Sequence, residues 1–269
     1  MIRCANCGDL ITFDACFCAQ CGAETNVAWP PLVEPLWNEA MPESENIHWL
    51  GQCRRRLTLP LDDSEATGLS AFEYAWKAFN NLYDEAADRK GMSARKAKEK
   101  MNVCLKSYLD CESFVRAEKA LLDSLCTHVL NDDVILDESL LPVVAHCRSL
   151  RCELPNDALA ASRSLVRALY VFRNSRTHGS FDVASQRVGS TRTPVPVWVI
   201  SAPQCLLALC THLIAGKTGE SVKHIRAVIE SRSEELIRQI VATIFNHQEK
   251  LGIDVSLPTL PGNRRGEQQ

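Results

Sequence analysis

The chain has 269 residues, 46% apolar and 23% charged, with 33 acids against 30 bases for a net charge of −3. That balance excludes a wholly disordered or fibrous chain, and no overall basic field marks it for nucleic acid, so any such contact must come from a local patch. Its 13 cysteines are odd in number and too sparse for a disulfide scaffold, and the polar start Met1–Cys7 is unlike a signal peptide, so a reducing cytoplasm with clustered cysteines on metal is the expectation.

Residues 1–24 are dense in Cys and Gly and too poor in large apolar residues to build a core. They hold two C-x-x-C-G knuckles, Cys4–Cys7–Gly8 and Cys18–Cys21–Gly22, ten residues apart. Two thiolates in one such turn grip one ion, and the glycine allows the tight backbone that aims N–H groups at sulfur. Cys4, Cys7, Cys18 and Cys21 together make a closed tetrahedral set, which suits structural Zn2+ and leaves no open position for catalysis. The metal then supplies the folding energy of the module. Cys16 competes with Cys18, but only Cys18 completes the repeat; paired disulfides are the other reading of these cysteines. The segment resembles the zinc ribbon or rubredoxin-like knuckle family over residues 3–24. Arg3 is its one base, against Asp9, Asp14 and Glu24, which argues against strong phosphate binding by this module alone.

Residues 25–63 carry Pro30, Pro31, Pro35, Pro42 and Pro60 and read as an irregular connector. Trp29, Trp37 and Trp49 are too apolar to leave in water and are expected to pack on the next domain. From 64 to 251 the periodicity is helical, giving a mainly α protein: a helical bundle behind a small zinc-binding module. Phe72, Ala75, Trp76, Phe79, Leu82 and Tyr83 form one apolar stripe. Gly91 ends that helix and Ser93 can cap the next, which runs unbroken to about Leu130. A short helix covers 140–150. Asn156 or Asp157 caps another, which stops at His178–Gly179. Phe181–Val197 reads as a loop, with a possible short strand at 195–200. The last two helices cover 204–215 and 221–251, and 252–269 reads as a frayed tail. Thr193–Gly216 is 24 residues without a charge, but Pro194, Pro196 and Pro203 interrupt it. It reads as a buried core helix, not a membrane span.

Tyr170-Val-Phe-Arg173-Asn174-Ser-Arg176-Thr-His178-Gly179 is the second signal. An apolar helix abruptly presents Arg, Asn, Arg and His at its C-terminal end. On an ideal helix Arg173 and His178 sit about 140° apart, at ~100° per residue; unwinding of the last turn into a Gly179 cap lets them converge. Arginine forks two phosphate oxygens, histidine moves a proton near neutrality, and the helix C-terminus favours the protonated ring. From Arg163 to Arg192 there are six arginines against the single acid Asp182.

This stretch resembles the R-N-x-x-x-H-G signature of HEPN ribonucleases (higher eukaryote and prokaryote nucleotide-binding domains). Trp76-Lys-Ala-Phe79-Asn80-Asn81-Leu82-Tyr83 is similar to an aromatic-Asn motif of some members, and the resemblance covers about 64–251. It implies a homodimer whose two motifs meet in one cleft. It also implies metal-independent RNA cleavage to 2′,3′-cyclic phosphate and 5′-OH ends. His178 is then the general acid or base, Arg173 stabilises the phosphate and Asn174 positions them. Arg176, Arg187 and Arg192 are expected to contact RNA backbone. A bacterial toxin or anti-phage role, with an antitoxin or other protein partner, follows by analogy. The competing reading is an inactive HEPN-like adaptor that binds a nucleotide, nucleic acid or protein.

Other patterns carry less. Ala215-Gly-Lys-Thr-Gly219 lacks the first glycine and the preceding strand of a P-loop, so Gly216 reads as a helix cap. Arg54–Arg56 reads as a solvated charge run. His128, His146 and His212 read as core or surface histidines. Cys104, Cys111, Cys126, Cys147, Cys205 and Cys210 read as small apolar fillers.

Overall fold

A computed structural model describes residues 2–3, 10–11, 43–58, 64–131, 141–177 and 198–250. The chain divides into two compact units, Met1–Ser44 and Glu45–Gln269. In the first, β1 (Ile2–Arg3) pairs antiparallel with β2 (Leu10–Ile11), Ile2 opposite Ile11 and Arg3 opposite Leu10. In the sequence, Cys4, Cys7 and Gly8 stand between these two strands. The four knuckle cysteines themselves lie outside the described residues, as do Trp29, Trp37 and the tail.

The described elements of the second unit are all helices: α1 (Ser44–Thr58), α2 (Ser64–Asp88), α3 (Ala97–Tyr108), α4 (Cys111–Asn131), α5 (Leu141–Glu153), α6 (Ala158–Thr177), α7 (Trp198–Thr218) and α8 (Val222–Lys250). α1 corrects the connector reading. It places Ile47, Leu50 and Cys53 in the core, and Trp49 stacks on Tyr74 at 6.0 Å, as its hydrophobicity predicts. The helix expected to run unbroken to Leu130 is two helices. Asp110 interrupts it: its carboxylate accepts the Ser113 N–H at 3.1 Å and the Ser113 hydroxyl at 2.8 Å, so α4 starts at a new cap. Lys96, not Ser93, occupies the N-cap of α3. Residues 198–200 belong to α7 and not to a strand.

Two expected caps hold. Gly91 has φ 66°, Gly91 N–H reaches Asp88 O at 2.9 Å and Met92 N–H reaches Ala87 O at 2.8 Å, the two bonds of a Schellman end. Asp157 caps α6 through the Ala160 N–H at 2.9 Å. Gly216 is not a cap; it lies inside α7, whose end is Gly219 at φ 79°.

α7 is the centre of the bundle. Cys205, Leu206, Leu209, Cys210, Leu213 and Ile214 are wholly enclosed, and α2, α3, α4 and α8 pack around it. An all-round apolar helix needs such a place, which accounts for the long uncharged run in the sequence. No helix among the described residues is long and apolar enough to cross a membrane. The filler reading of the cysteines holds for Cys104, Cys126, Cys147, Cys205 and Cys210; Cys111 is only half-buried. Burial pushes the Cys104 thiol up to about 12.

Among the described residues the core holds an ionic knot. Glu118 on α4 accepts from His212 Nε2 of α7 at 3.0 Å and from Arg226 of α8, and the His212 ring meets Phe114 edge-on. The hydrogen bond from His212 holds the Glu118 carboxyl below its usual range, helped by the Arg226 charge and opposed by burial. The knot's stabilisation is therefore complete above the ordinary carboxylate range and is lost as pH falls through the lowered folded value. Glu118→Gln is expected to cost about 2–3 kcal/mol at pH 7, since it leaves the buried imidazole poorly matched. Thermal melts between pH 3 and 7 check this: the variant should lose both stability and part of the acid-dependent fall. A variant as stable as wild type at pH 7 would mean that the knot adds no stability.

Candidate functional site

The site starts from how α6 is held. Its apolar residues Ala161, Leu165, Ala168, Leu169 and Phe172 are buried. α6 meets α2 through rings: Phe172 packs edge-on against Phe72 at 4.8 Å, and Tyr170 lies tilted against Trp76 at 6.2 Å. Trp76, Phe79 and Tyr83 continue this stack along α2, with ring centroids 5.4 and 5.3 Å apart. Large rings fix the helices more tightly than small aliphatic side chains do, because each has one shape and few rotamers. The polar end of α6 is thus carried on a rigid support.

Arg173 and Asn174 are half-buried in the last turns of α6. Arg173 Nη1 donates to Asn174 Oδ1 at 3.3 Å. The structure therefore joins two of the three residues expected at the centre. It also adds a residue that the sequence places in the apolar stripe and in the aromatic-Asn motif without giving it a role. Tyr83 of α2 stands within electrostatic reach of Arg173, Tyr170 and Asp84. Burial pushes its hydroxyl up to about 12, Asp84 and Tyr170 add to this, and the Arg173 guanidinium pulls the other way. At neutral pH Tyr83 is a neutral donor, not an anion that would cancel the arginine. No local pattern in the sequence connects residues 83 and 173; their meeting is tertiary.

Asn80 belongs to the same aromatic-Asn motif. It follows Trp76 by four residues and precedes Tyr83 by three, so it shares the helix face that meets α6. Its Oδ1 is buried, with no hydrogen-bond partner among the described residues. Buried acceptors are nearly always satisfied, and this one is an exception among the described residues.

α6 ends at Thr177. His178, Gly179, Arg187 and Arg192 lie outside the described residues, and so does any convergence of His178 on Arg173. Arg176 belongs to the last turn of α6 by its backbone. His212 is a satisfied core histidine, as expected. A groove of about 600 Å3 lined by Leu105, Asp110, Cys111 and Asp157 lies at the N-terminal ends of α4 and α6. It is about 22 Å along α6 from Arg173, at 1.5 Å per residue. The caps of both helices are already filled there by Asp110 and Asp157. Among the described residues no cluster of His, Cys, Asp and Glu has the arrangement of a metal site.

Compared with known proteins, the chain matches no family model, no curated protein and no solved structure. The functional reading rests on this chain's own residues.

Proposed function

We propose that this chain is a metal-independent endoribonuclease of HEPN type with an N-terminal zinc-binding module. The observation that carries the reading is the Arg173–Asn174 pair at the C-terminal end of α6, backed by neutral Tyr83. Arginine, amide and phenol are the donors that a phosphodiester in its pentacoordinate state requires, and none of them needs a metal. His178 follows within the same polar run.

The reaction is an internal transfer. His178 takes the proton of a ribose 2′-OH, and the oxygen attacks the adjacent phosphorus. The P–O5′ bond breaks, and the departing oxygen takes a proton from the histidine of the other motif or from water. The products are a 2′,3′-cyclic phosphate and a 5′-OH. Arg173 forks the non-bridging oxygens as charge builds on them, and Asn174 holds Arg173 in place. A homodimer supplies two such motifs to one cleft. Arg176, Arg187 and Arg192 extend the positive charge along the RNA backbone.

The cysteine module fits Zn2+ by the chemistry of its donors: four thiolates in two knuckles, the first between β1 and β2 in the sequence. The metal there would be structural and take no part in the cut. Thiols buried across the bundle fit a reducing compartment, which agrees with a cytoplasmic toxin or defence protein acting under the control of a protein partner.

The test is purified chain on total cellular RNA, once in EDTA and once zinc-loaded without free metal, followed by end-group analysis. Cyclic-phosphate and 5′-OH ends in both samples are expected. A folded dimer that leaves RNA whole would overturn the enzyme reading and favour the adaptor.

A further inference from the structure

α6 has no acidic residue between its cap and its end. Arg163, Arg167, Tyr170 and Asn174 recur at spacings of four, three and four, so they line one stripe of the helix. All four are half-buried, while Ala161, Leu165, Ala168 and Phe172 on the opposite side are buried. The stripe is about 16 Å long at 1.5 Å per residue and ends beside Arg173. A neighbouring helix widens it. Lys98 of α3 and Arg167 both sit close enough to His146 of α5 to hold its protonation down, after burial itself, with Glu153 opposing them. The Glu153 carboxylate is engaged by the Ser164 hydroxyl at 2.6 Å.

Several bases of the bundle stand beside acids: Arg54 with Glu230, Lys100 with Asp84, Lys217 with Glu85, Arg226 with Glu118. Among the described residues Arg163 and Arg167 form no ion pair, and the Nε of Arg163 is buried there without a hydrogen-bond partner. Like charges lined up along one helix face repel one another, and an added polyanion relieves that repulsion. An aromatic ring set between arginines is the arrangement that holds a strand by stacking and charge together.

We propose that the stripe of Arg163, Arg167 and Tyr170, with Lys98 beside it, holds single-stranded RNA and leads it to Arg173. This rests on the ribonuclease reading and adds the substrate's form to it. Tyr170 needs an unpaired base, whereas a duplex keeps its bases stacked away from such a ring. A second copy of this chain is a poor occupant. A twofold contact along the stripe would set arginines against arginines.

The test uses the full chain and a fluorescent 2′-O-methyl strand, which lacks the attacking hydroxyl and stays intact, beside a duplex of equal length. Wild type is expected to prefer the single strand. Arg163→Glu/Arg167→Glu should weaken binding at least tenfold. The milder Arg163→Gln/Arg167→Gln pair should flatten the plot of log affinity against log salt by about 1.4, at ~0.7 per lost phosphate contact on a single strand. Tyr170→Leu should weaken the single strand and leave the duplex unchanged. Unchanged binding in the folded Gln pair would overturn the proposal, as would a preference for the duplex. Altered self-association with RNA binding intact would make the stripe a protein contact and overturn it too. Binding through the stripe without cutting ordinary RNA keeps the stripe and removes the ribonuclease reading. Cutting with KM unchanged in the Gln pair does the reverse.

Discussion

Replacing His178 with alanine is expected to lower RNA cleavage by about 10²–10⁴-fold, the usual worth of a positioned acid or base. Arg173→Lys should lose about 10²–10³-fold, because a point charge on a flexible stem does not reproduce the fork that spans two phosphate oxygens. Both losses are in kcat. The bundle should stay intact in each. His178 lies past the end of α6, and Arg173 is only half-buried and bonds its neighbour Asn174. Losing that bond is worth about 1 kcal/mol of stability. Single-turnover cleavage, read beside thermal unfolding, separates the two effects. If Arg173→Lys cuts at the wild-type rate, the fork is not what stabilises the reaction. If His178→Ala cuts at that rate, the proton is carried by another group, and neutral Tyr83 is the next to replace. A double variant is expected to lose little more than the worse single, since the two residues serve one transition state.

Several parts of this architecture could be read from local chemistry. The stripe Phe72–Tyr83 gave α2 because a helix buries every third and fourth residue, and all its named members are in the core. Gly91 and Asp157 were legible because glycine is the residue that turns left-handed at a helix end, and a carboxylate is among the strongest caps at a helix start. α1 was not. Its buried positions Ile47, Leu50 and Cys53 are three apolar residues among Glu45, Gln52 and Arg54–Arg56, and prolines surround them in sequence. What makes it a packed helix is a partner about 180 residues away: Gly51 leaves room for the Arg232 side chain, whose Nη2 meets His48 Nδ1 at 3.0 Å. The break at Leu109–Asp110 was hidden for a different reason. Apolar spacing continues across it, and only the Asp-x-x-Ser cap marks the new start.

The site divides along the same line. Arg173 and Asn174 were visible because polar residues ending an apolar helix are out of place. Tyr83 and Asn80 were named within the aromatic-Asn motif, but with no role of their own. A tyrosine in an apolar stripe looks like core until a cation is found beside it. An asparagine on a half-exposed face looks like surface until its oxygen proves buried. The pairing of α2 with α6 through rings put Tyr83 within electrostatic reach of Arg173.

Gly216→Ala gives the largest expected loss of stability. In an ordinary helix this change stabilises by about 1 kcal/mol, because alanine is the better helix former. Here the sign reverses. A Cβ at Gly216 would stand 1.8 Å from the carbonyl oxygen of Tyr108 and 2.9 Å from its carbon. That carbonyl belongs to the last residue of α3, where helix oxygens lack their usual partners and project outward. The obstacle is backbone, so no rotamer change relieves it; α3 and α7 must move apart. α7 is the central helix, and α2, α4 and α8 pack on it as well, so the shift spreads. A cost of about 3 kcal/mol or more is expected, at the top of the range for overpacking. At ~2–4 °C per kcal/mol for a unit of this size, Tm should fall by about 6–12 °C. Gly219→Ala is the control. It has open space around its Cβ and φ 79°, so it should cost only the ~1–2 kcal/mol of a left-handed alanine. Tyr108→Phe will not rescue Gly216→Ala, since the clash is with main-chain oxygen. A Gly216→Ala protein that melts at or above wild type would mean that α3 does not seat its carbonyl on α7. Because Arg173 and Asn174 stand on α6 against α2, RNA cleavage well below the new Tm should remain near wild type in that variant. Loss of the fold and loss of the chemistry are thus separable in the same molecule.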